Sequence, residues 1–268
     1  MLIKIDKEGY TVKKYLAEKG YSRRQISRLA KTLTINNEKA YLTSTLKTND
    51  ELRFNLVGQD EGKRLENIEI KYQNQDLIIV NKPAGIVAHS DNKHQENNLT
   101  TKLEKQINHK VYPVLRLDKN VSGLMLYAKN PQKAAYLNNL RQENKVQKTY
   151  LLVCEGKLDQ NEGLIEIHIK KDYKKFIVAK DGKKSITKYK FIKGNEKHSL
   201  YEVHIITGRS HQIRLSFAHL KHPIVGDVLY GSKNNTINRI ALHAYSLTFD
   251  DIEIKQELPT QLKELIHE

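Results

Sequence analysis

Residues 114–153 read VLRLDKNVSGLMLYAKNPQKAAYLNNLRQENKVQKTYLLV, and three elements follow from them. Leu124–Ala128 is a short apolar run entered through Ser122-Gly123, which predicts a strand. Pro131–Glu143 opens with the residue best tolerated at the first helical position and predicts a helix. Thr149–Val153 is again a short apolar run and predicts a second strand. The same signals recur outward. Upstream, Ile68–Tyr72 alternates, and Leu77–Val80 is a continuous apolar run closed by the turn Asn81-Lys82-Pro83-Ala84-Gly85. Downstream, Leu164–Ile169, Ser185–Ile192, Leu200–Ile206 and Ile240–Phe249 read as strands, while Leu99–Asn108, Gln212–Leu220 and Pro259–Ile266 read as helices. Many strands with interspersed helices in no regular βαβ order predict a mixed α+β domain over residues 68–268. There is no internal repeat.

Residues 1–57 form a separate basic unit, with 12 Lys/Arg against 6 Asp/Glu, a net of +6. Thr11–Lys19 predicts a short helix with Val12, Tyr15 and Leu16 on one face and Gly20 as its stop. Ser22 is placed to cap a second helix. Its Ile26, Leu29 and Ala30 share one face, and Arg24, Arg28 and Lys31 share another, where they can meet phosphates or simply be solvated. Glu51–Val57 is β-like. Residues 58–67, GQDEGKRLEN, are polar with two glycines and read as a linker.

The whole chain of 268 residues carries 46 Lys/Arg against 31 Asp/Glu, a formal charge of +15. Such a field attracts polyanions, although charge by itself speaks to association and not to fold. Cys154 is the single cysteine, so a disulfide framework and multi-cysteine zinc sites are excluded and a reducing compartment is expected. Charges interrupt the first residues where a signal peptide would be apolar, and no stretch approaches the ~20 apolar residues of a membrane span. A cytoplasmic protein is expected. Neither a Walker-type phosphate loop nor G-x-G-x-x-G is present, and His204, His211, His219, His222 and His243 have no metal-ligand spacing. No nucleotide cofactor and no metal are expected.

Three segments can carry chemistry. In Leu115-Arg116-Leu117-Asp118-Lys119-Asn120-Val121-Ser122-Gly123-Leu124, a carboxylate stands on a loop feeding a strand. Asp118 there can act as nucleophile or base, or merely cap a turn. Tyr150, in Lys148-Thr149-Tyr150, can stack on a base, move a proton, or pack in a strand. In Thr207-Gly208-Arg209-Ser210-His211-Gln212-Ile213-Arg214, the last residue stands near the start of a predicted helix, where the dipole disfavours a cation. A specific carboxylate or phosphate partner is therefore expected for Arg214. Ile213, Phe217 and Leu220 form that helix's apolar stripe.

Taken in order, these segments resemble the RluA/RluD-type pseudouridine synthase family. Its H-R-L-D-x-x-T-S-G-L hallmark stands here as Leu115 to Leu124, with Leu115 for the family's His and Val121 for its Thr. Asn81-Lys82-Pro83-Ala84-Gly85, Lys148-Thr149-Tyr150, Thr207 to Arg214, His222-Pro223-Ile224-Val225-Gly226-Asp227 and Leu229-Tyr230-Gly231 continue the match over roughly residues 68–250. Residues 1–57 resemble the small RNA-binding domain named after a ribosomal small-subunit protein, except that Asn36-Asn37 stand where that domain usually turns at glycine. The resemblance implies a largely antiparallel sheet with flanking helices, preceded by a small α/β domain.

It implies isomerisation of uridine to pseudouridine in structured RNA, without cofactor. Large-subunit ribosomal RNA would be the commonest target and transfer RNA the alternative. Asp118 would be the catalytic carboxylate, Tyr150 would stack on the uracil, and Arg214 would pair with Asp118. Arg116 would occupy the space left by the extruded base, Leu242 would wall the pocket, and Arg209 would meet phosphate. A monomer is the default. The rival reading, suggested by Leu115 and Val121, is a catalytically retired relative that only binds RNA or assists ribosome assembly.

Overall fold

In the computed structural model, which describes residues 2–21, 26, 29, 33–54, 67–89, 98–173, 175–234 and 236–267, the chain divides into two units, Met1–Arg64 and Leu65–Glu268. The first holds β1 (Leu2–Lys4), α1 (Val12–Glu18), β2 (Thr34–Ile35), β3 (Glu38–Lys39) and β4 (Glu51–Arg53), in a sheet of order β1-β4-β2-β3. Thr11 caps α1 by accepting from the Lys14 amide at 3.3 Å, and Val12, Tyr15 and Leu16 are the face it buries. Ile26 and Leu29 join them in one apolar cluster with Leu46, Leu52 and Phe54. Arg24, Arg28, Lys31 and most of the 58–67 linker lie outside the described residues.

The β2–β3 connection shows how the chain turns without glycine. Asn36 and Asn37 both adopt left-handed backbone, with φ of 51° and 70°, which asparagine tolerates better than most residues. The Asn36 side chain is held at both ends, donating to Asp50 Oδ1 and accepting from the Glu51 amide, each at 2.8 Å.

The second unit is built on an 11-stranded sheet. Its strands are β5 (Glu69–Gln73), β6 (Leu77–Lys82), β7 (Tyr112–Pro113), β8 (Ser122–Ala128), β9 (Gln147–Glu155), β10 (Glu162–Asp172), β11 (Lys175–Val178), β12 (Lys183–Gly194), β13 (His198–Ile205), β14 (Leu242–Phe249) and β15 (Ile252–Lys255). The main path runs β11-β10-β12-β13-β9-β14-β8-β6-β5, with β7 on β8 and β15 on β14. Every pairing of these strands is antiparallel except that of β14 with β8. The fold is mixed α+β.

Helices α2 (Leu99–Ile107) and α3 (Pro131–Gln142) account for the continuous apolar runs. Leu77, Ile79, Leu124 and Leu126 share a cluster with Leu137 and Leu140 of α3. Ile78, Val80, Met125 and Tyr127 share another with Leu99 and Leu103 of α2. With both faces covered, β6 and β8 are buried almost throughout instead of alternating. Asn98 and Asn130 cap these helices, accepting from Thr101 and Lys133 amides at 3.0 and 2.8 Å. By contrast β10 alternates, burying Ile165, Ile167 and Ile169 while Leu164 and Glu166 are exposed.

The parallel contact between β8 and β14 pairs His243 with Ser122 and Ala244 with Gly123. A Cβ on Gly123 would lie 2.3 Å from the Ala244 carbonyl oxygen, so only glycine permits this approach. It brings the loop before β8, which carries Asp118, beside the segment entering β14. The strand expected from Ile240 begins at Leu242, because the buried Ile240 and Ala241 run as a connecting segment.

α4 (Gln212–His219) and α5 (Thr260–Glu264) complete the unit. The apolar stripe expected on α4 understates its burial. All of Gln212 to Phe217 is buried, including Arg214. Gln212 accounts for part of this, donating to the Ile186 carbonyl and accepting from the Arg209 amide at 2.9 and 3.0 Å.

Candidate active site

Asp118 stands on the loop between β7 and β8, and its backbone is fixed from one side. The Lys82 ammonium donates to the carbonyls of Pro83, Lys119 and Val121 at 2.9, 3.0 and 2.6 Å. The Gly85 amide adds a bond to the Lys119 carbonyl at 2.8 Å, and the Val121 amide donates to the Asp118 carbonyl at 3.1 Å. Lys82 is fully buried. Burial, reinforced by the charge of Arg239, pushes its pKa down to about 7.

The side chain is fixed from the other side. Arg214 Nη1 donates to Asp118 Oδ2 at 2.7 Å, while its Nε and Nη2 donate to the two oxygens of Asp227 at 2.7 and 2.8 Å. This is one guanidinium with a bidentate acid behind it and a single acid in front. Asp227 is 1% exposed and Arg214 8%, whereas Asp118 is 33% exposed. The inner pair is sealed and the outer acid reaches solvent. Burial opposes the Arg214 charge, but the hydrogen bonds and charge of Asp227, with that of Asp118, raise its pKa further. Gly226 lets the chain deliver Asp227, for a Cβ there would lie 2.0 Å from the Arg239 carbonyl oxygen.

Two aromatic groups close this side. His211, at the start of α4, has a left-handed backbone with φ of 56°. Its Nε2 lies 3.7 Å from Asp118 Oδ2, and its Nδ1 meets the Tyr230 hydroxyl at 2.6 Å. The Tyr230 ring lies under the Arg214 guanidinium at 4.8 Å. Burial lowers the His211 pKa against the pull of Asp118. A cavity of about 310 Å³ opens beside the trio, lined by Arg214 and Asp227, with Asn120, Val228, Leu229 and Ile240 around them.

Tyr150, on β9, is buried and its hydroxyl makes no hydrogen bond among the described residues. Burial, with a smaller contribution from the Asp118 charge, raises its pKa. The arrangement can present one carboxylate with its Oδ2 occupied and its Oδ1 without a hydrogen bond among the described residues. Beside it are a neutral phenol and a cation already committed to acids. Among the described residues, no three His, Cys, Asp or Glu side chains group as metal ligands.

Residues 76–219 match the family described as RNA pseudouridylate synthase. This chain belongs to that family. An uncharacterised RNA pseudouridine synthase of Haemophilus influenzae is 39% identical over 187 residues, covering 68% of this chain and 82% of the relative. A ribosomal large subunit pseudouridine synthase D of Borreliella burgdorferi is 33% identical, over 68% and 61% of the two chains. A tRNA pseudouridine synthase C of Vibrio parahaemolyticus is 32% identical, over 68% and 84%.

In this synthase Asp118 and Arg214 are in contact, and Tyr150 is close enough to respond to the Asp118 charge. Leu242 is buried opposite Leu152 on β9, in the same cluster as Tyr150. Arg116 is exposed on the Asp118 loop. Arg209 is also exposed and directs its Nε to the Lys184 carbonyl at 3.0 Å. Leu115 packs with Leu124, Leu126 and Leu137, and Val121 enters the main core, so both departures from the family pattern are absorbed by apolar packing.

Asp227, His211, Tyr230 and Lys82 have no role assigned from sequence, although each stands in a segment singled out there. The carboxylate or phosphate partner expected for Arg214 is a carboxylate twice over: Asp118, the pairing the resemblance implied, and Asp227, which had no such role. Ser122 is pinned as well. Arg239 Nη2 donates to its hydroxyl at 2.6 Å, and that hydroxyl meets His243 Nδ1 at 2.7 Å. His243 Nε2 faces the Gln256 carbonyl at 3.2 Å, which requires the Nε2–H tautomer and makes Nδ1 the acceptor.

Proposed function

We propose that this RNA pseudouridine synthase uses Asp118 as its catalytic carboxylate on uridines of large-subunit ribosomal RNA. In the reaction the N1–C1′ bond breaks, the uracil turns, a C5–C1′ bond forms, the C5 proton leaves and N1 regains one. No atom is lost and no electron is exchanged with a partner. The observation that carries the reading is the asymmetry of the carboxylate. Arg214 and Asp227, both sealed, hold Oδ2 from behind, and the solvent-reaching side of Asp118 is left for the substrate. That oxygen can attack the sugar carbon or take a proton from the sugar, and either route needs one fixed, uncommitted oxygen.

Tyr150 stacks on the flipped uracil, Leu242 forms the wall behind it, and Arg116 enters the space the base leaves, offsetting part of the few kcal/mol of unstacking. Arg209 and the basic unit of residues 1–57, through Arg24, Arg28 and Lys31, meet backbone phosphates. The enzyme works as a cytoplasmic monomer; among the described residues no helix is long and apolar enough to cross a membrane. The Borreliella relative's name supports the ribosomal target, and the Vibrio relative's name makes transfer RNA the alternative arm of the test. A retired RNA-binding role is disfavoured by the complete set of Asp118, Arg214, Asp227 and Tyr150.

The test is turnover by purified Asp118→Asn on unmodified large-subunit ribosomal RNA and, separately, unmodified transfer RNA. Loss of turnover on the ribosomal substrate with RNA binding retained is expected. Wild-type rate in the Asn variant contradicts the role of Asp118, and wild-type turnover on transfer RNA alone contradicts the target.

A further inference from the structure

Several lysines near the catalytic sheet have an evident partner, while others on it, such as Lys183, Lys188 and Lys190, are exposed and make no hydrogen bond or ion pair among the described residues. Lys71, Lys184 and Lys255 pair with Glu69, Glu166 and Glu253 at 3.0, 2.8 and 2.7 Å. The buried Lys82 is saturated by three carbonyls. Lys148 is different. It is partly buried, yet it makes no hydrogen bond or ion pair among the described residues. Its charge is disfavoured first by burial and then by a like charge, that of Arg141, and its pKa falls to about 8.

Its place in the fold is specific. On β9 Lys148 precedes Tyr150 by two residues, so the two side chains leave the same face of the sheet about 6.6 Å apart along the strand. Its cross-strand neighbour is Leu247, which shares an apolar cluster with Val114 and Leu115, the residues leading into Arg116 and Asp118. Arg141, in the last turn of α3, reaches the same segment by donating Nη1 to the Val114 carbonyl at 3.4 Å. Arg141 therefore touches the chain that enters the Asp118 loop, and Lys148 neighbours Leu247, a member of the cluster that chain joins; among the described residues neither cation is paired with a carboxylate. A half-buried amine beside a guanidinium is an unfavourable arrangement in the free protein, and an anion relieves it. For an enzyme of this family the anion at hand is the phosphodiester of its RNA.

We propose that Lys148, backed by Arg141, is a backbone-phosphate clamp that holds the RNA strand about one nucleotide step from the uridine presented to Asp118. This assignment rests on the reading of the Asp118 face as the site of reaction. It is separable from that reading, because it is measured by binding without turnover. Lys148 is a positioning residue, with no part in bond making.

The experiment compares full-length wild type with Lys148→Met, Lys148→Arg and Arg141→Met, binding a fluorescein-labelled oligouridylate across a salt series. Lys148→Met should weaken binding roughly three- to tenfold at low salt and make the slope of log K against log salt shallower by about 0.7, one phosphate contact to a single strand. Lys148→Arg should restore both, and Arg141→Met should give a smaller loss. In turnover the Lys148→Met defect should fall on KM rather than kcat. Amine acylation of the wild type gives a second readout that needs no variant: mass spectrometry should find Lys148 labelled in the free protein and protected by oligouridylate. Unchanged affinity and slope, a defect confined to kcat, or acylation unaffected by RNA would each overturn the proposal. Loss of turnover in Asp118→Asn leaves the affinity, slope and acylation readouts in place.

Discussion

Two buried cations flank the Asp118 loop, and they are satisfied in opposite ways. Lys82 lies on the β6 side and gives its protons to backbone carbonyls of the loop. Arg214 lies on the α4 side and gives its protons to carboxylates, one of which is Asp118 itself. The first contact fixes where the loop runs, and it would form whatever side chain stood at position 118. The second fixes which way the carboxylate faces and which of its oxygens is occupied. Removing Lys82 should therefore be felt mainly in folding, and removing Arg214 in folding and in rate together.

The largest effect is expected for Arg214→Met. It leaves Asp227 buried without its partner, a cost of about 3–5 kcal/mol, and frees Asp118 to rotate. Turnover of the folded fraction should fall at least about a hundredfold, as when one aligned stabilising group is lost. Denaturant melts and single-turnover rates on the same preparation separate the two losses. A variant that melts early but turns over normally would make Arg214 a second Lys82.

Lys82→Met comes next. It takes the donor away from the Pro83 and Val121 carbonyls, while the Lys119 carbonyl keeps the Gly85 amide. A loss of about 2 kcal/mol is expected, with most of the rate surviving once the protein is folded. A rate defect matching that of Arg214→Met would erase the distinction between backbone and side-chain control.

The same residue gives a pH signature with a definite sign. The folded pKa of Lys82, about 7, lies below the usual 10.5. Between those values the unfolded chain binds a proton that the folded protein does not, so wild-type stability gains with rising pH in that window. The stability of wild type minus that of Lys82→Met should rise from pH 7 to 10 by up to about 1.4 kcal/mol per pH unit. Parallel profiles would mean that the amine keeps its ordinary affinity for protons.

The smallest effect belongs to residues 1–57. That unit has its own apolar cluster. Its removal should weaken RNA binding and lower the salt slope by about 0.7–0.9 for each phosphate no longer neutralised, leaving the rate at saturating RNA close to that of the full chain. A collapse of that rate would show that the unit contributes to more than binding.

Much of this architecture was legible in the sequence, for physical reasons. Leu77–Val80 and Leu124–Ala128 are read as strands because a short apolar run needs cover on both faces, which α2 and α3 supply. Thr11–Lys19, Leu99–Asn108 and Pro131–Glu143 are read as helices from patterns that act within a few residues, and the structure adds Thr11, Asn98 and Asn130 as the caps. The short strands β7, β11 and β15 escape such reading because two to four residues carry too little pattern. Arg214 was legible as a cation in need of a carboxylate or phosphate partner. Asp227 was not, since Gly226-Asp227 looks like any turn until the chain brings it under α4. Lys148 illustrates the same limit, as a strand pattern does not reveal which amine is left without a partner.

The central claim is the role of Asp118 in forming pseudouridine, and the most direct test is a map of pseudouridines in total RNA from cells lacking this gene, complemented with wild type or with Asp118→Asn. A large-subunit ribosomal site should disappear on deletion, return with the wild-type gene, and stay absent with the Asn variant. A site restored by Asp118→Asn would contradict the claim.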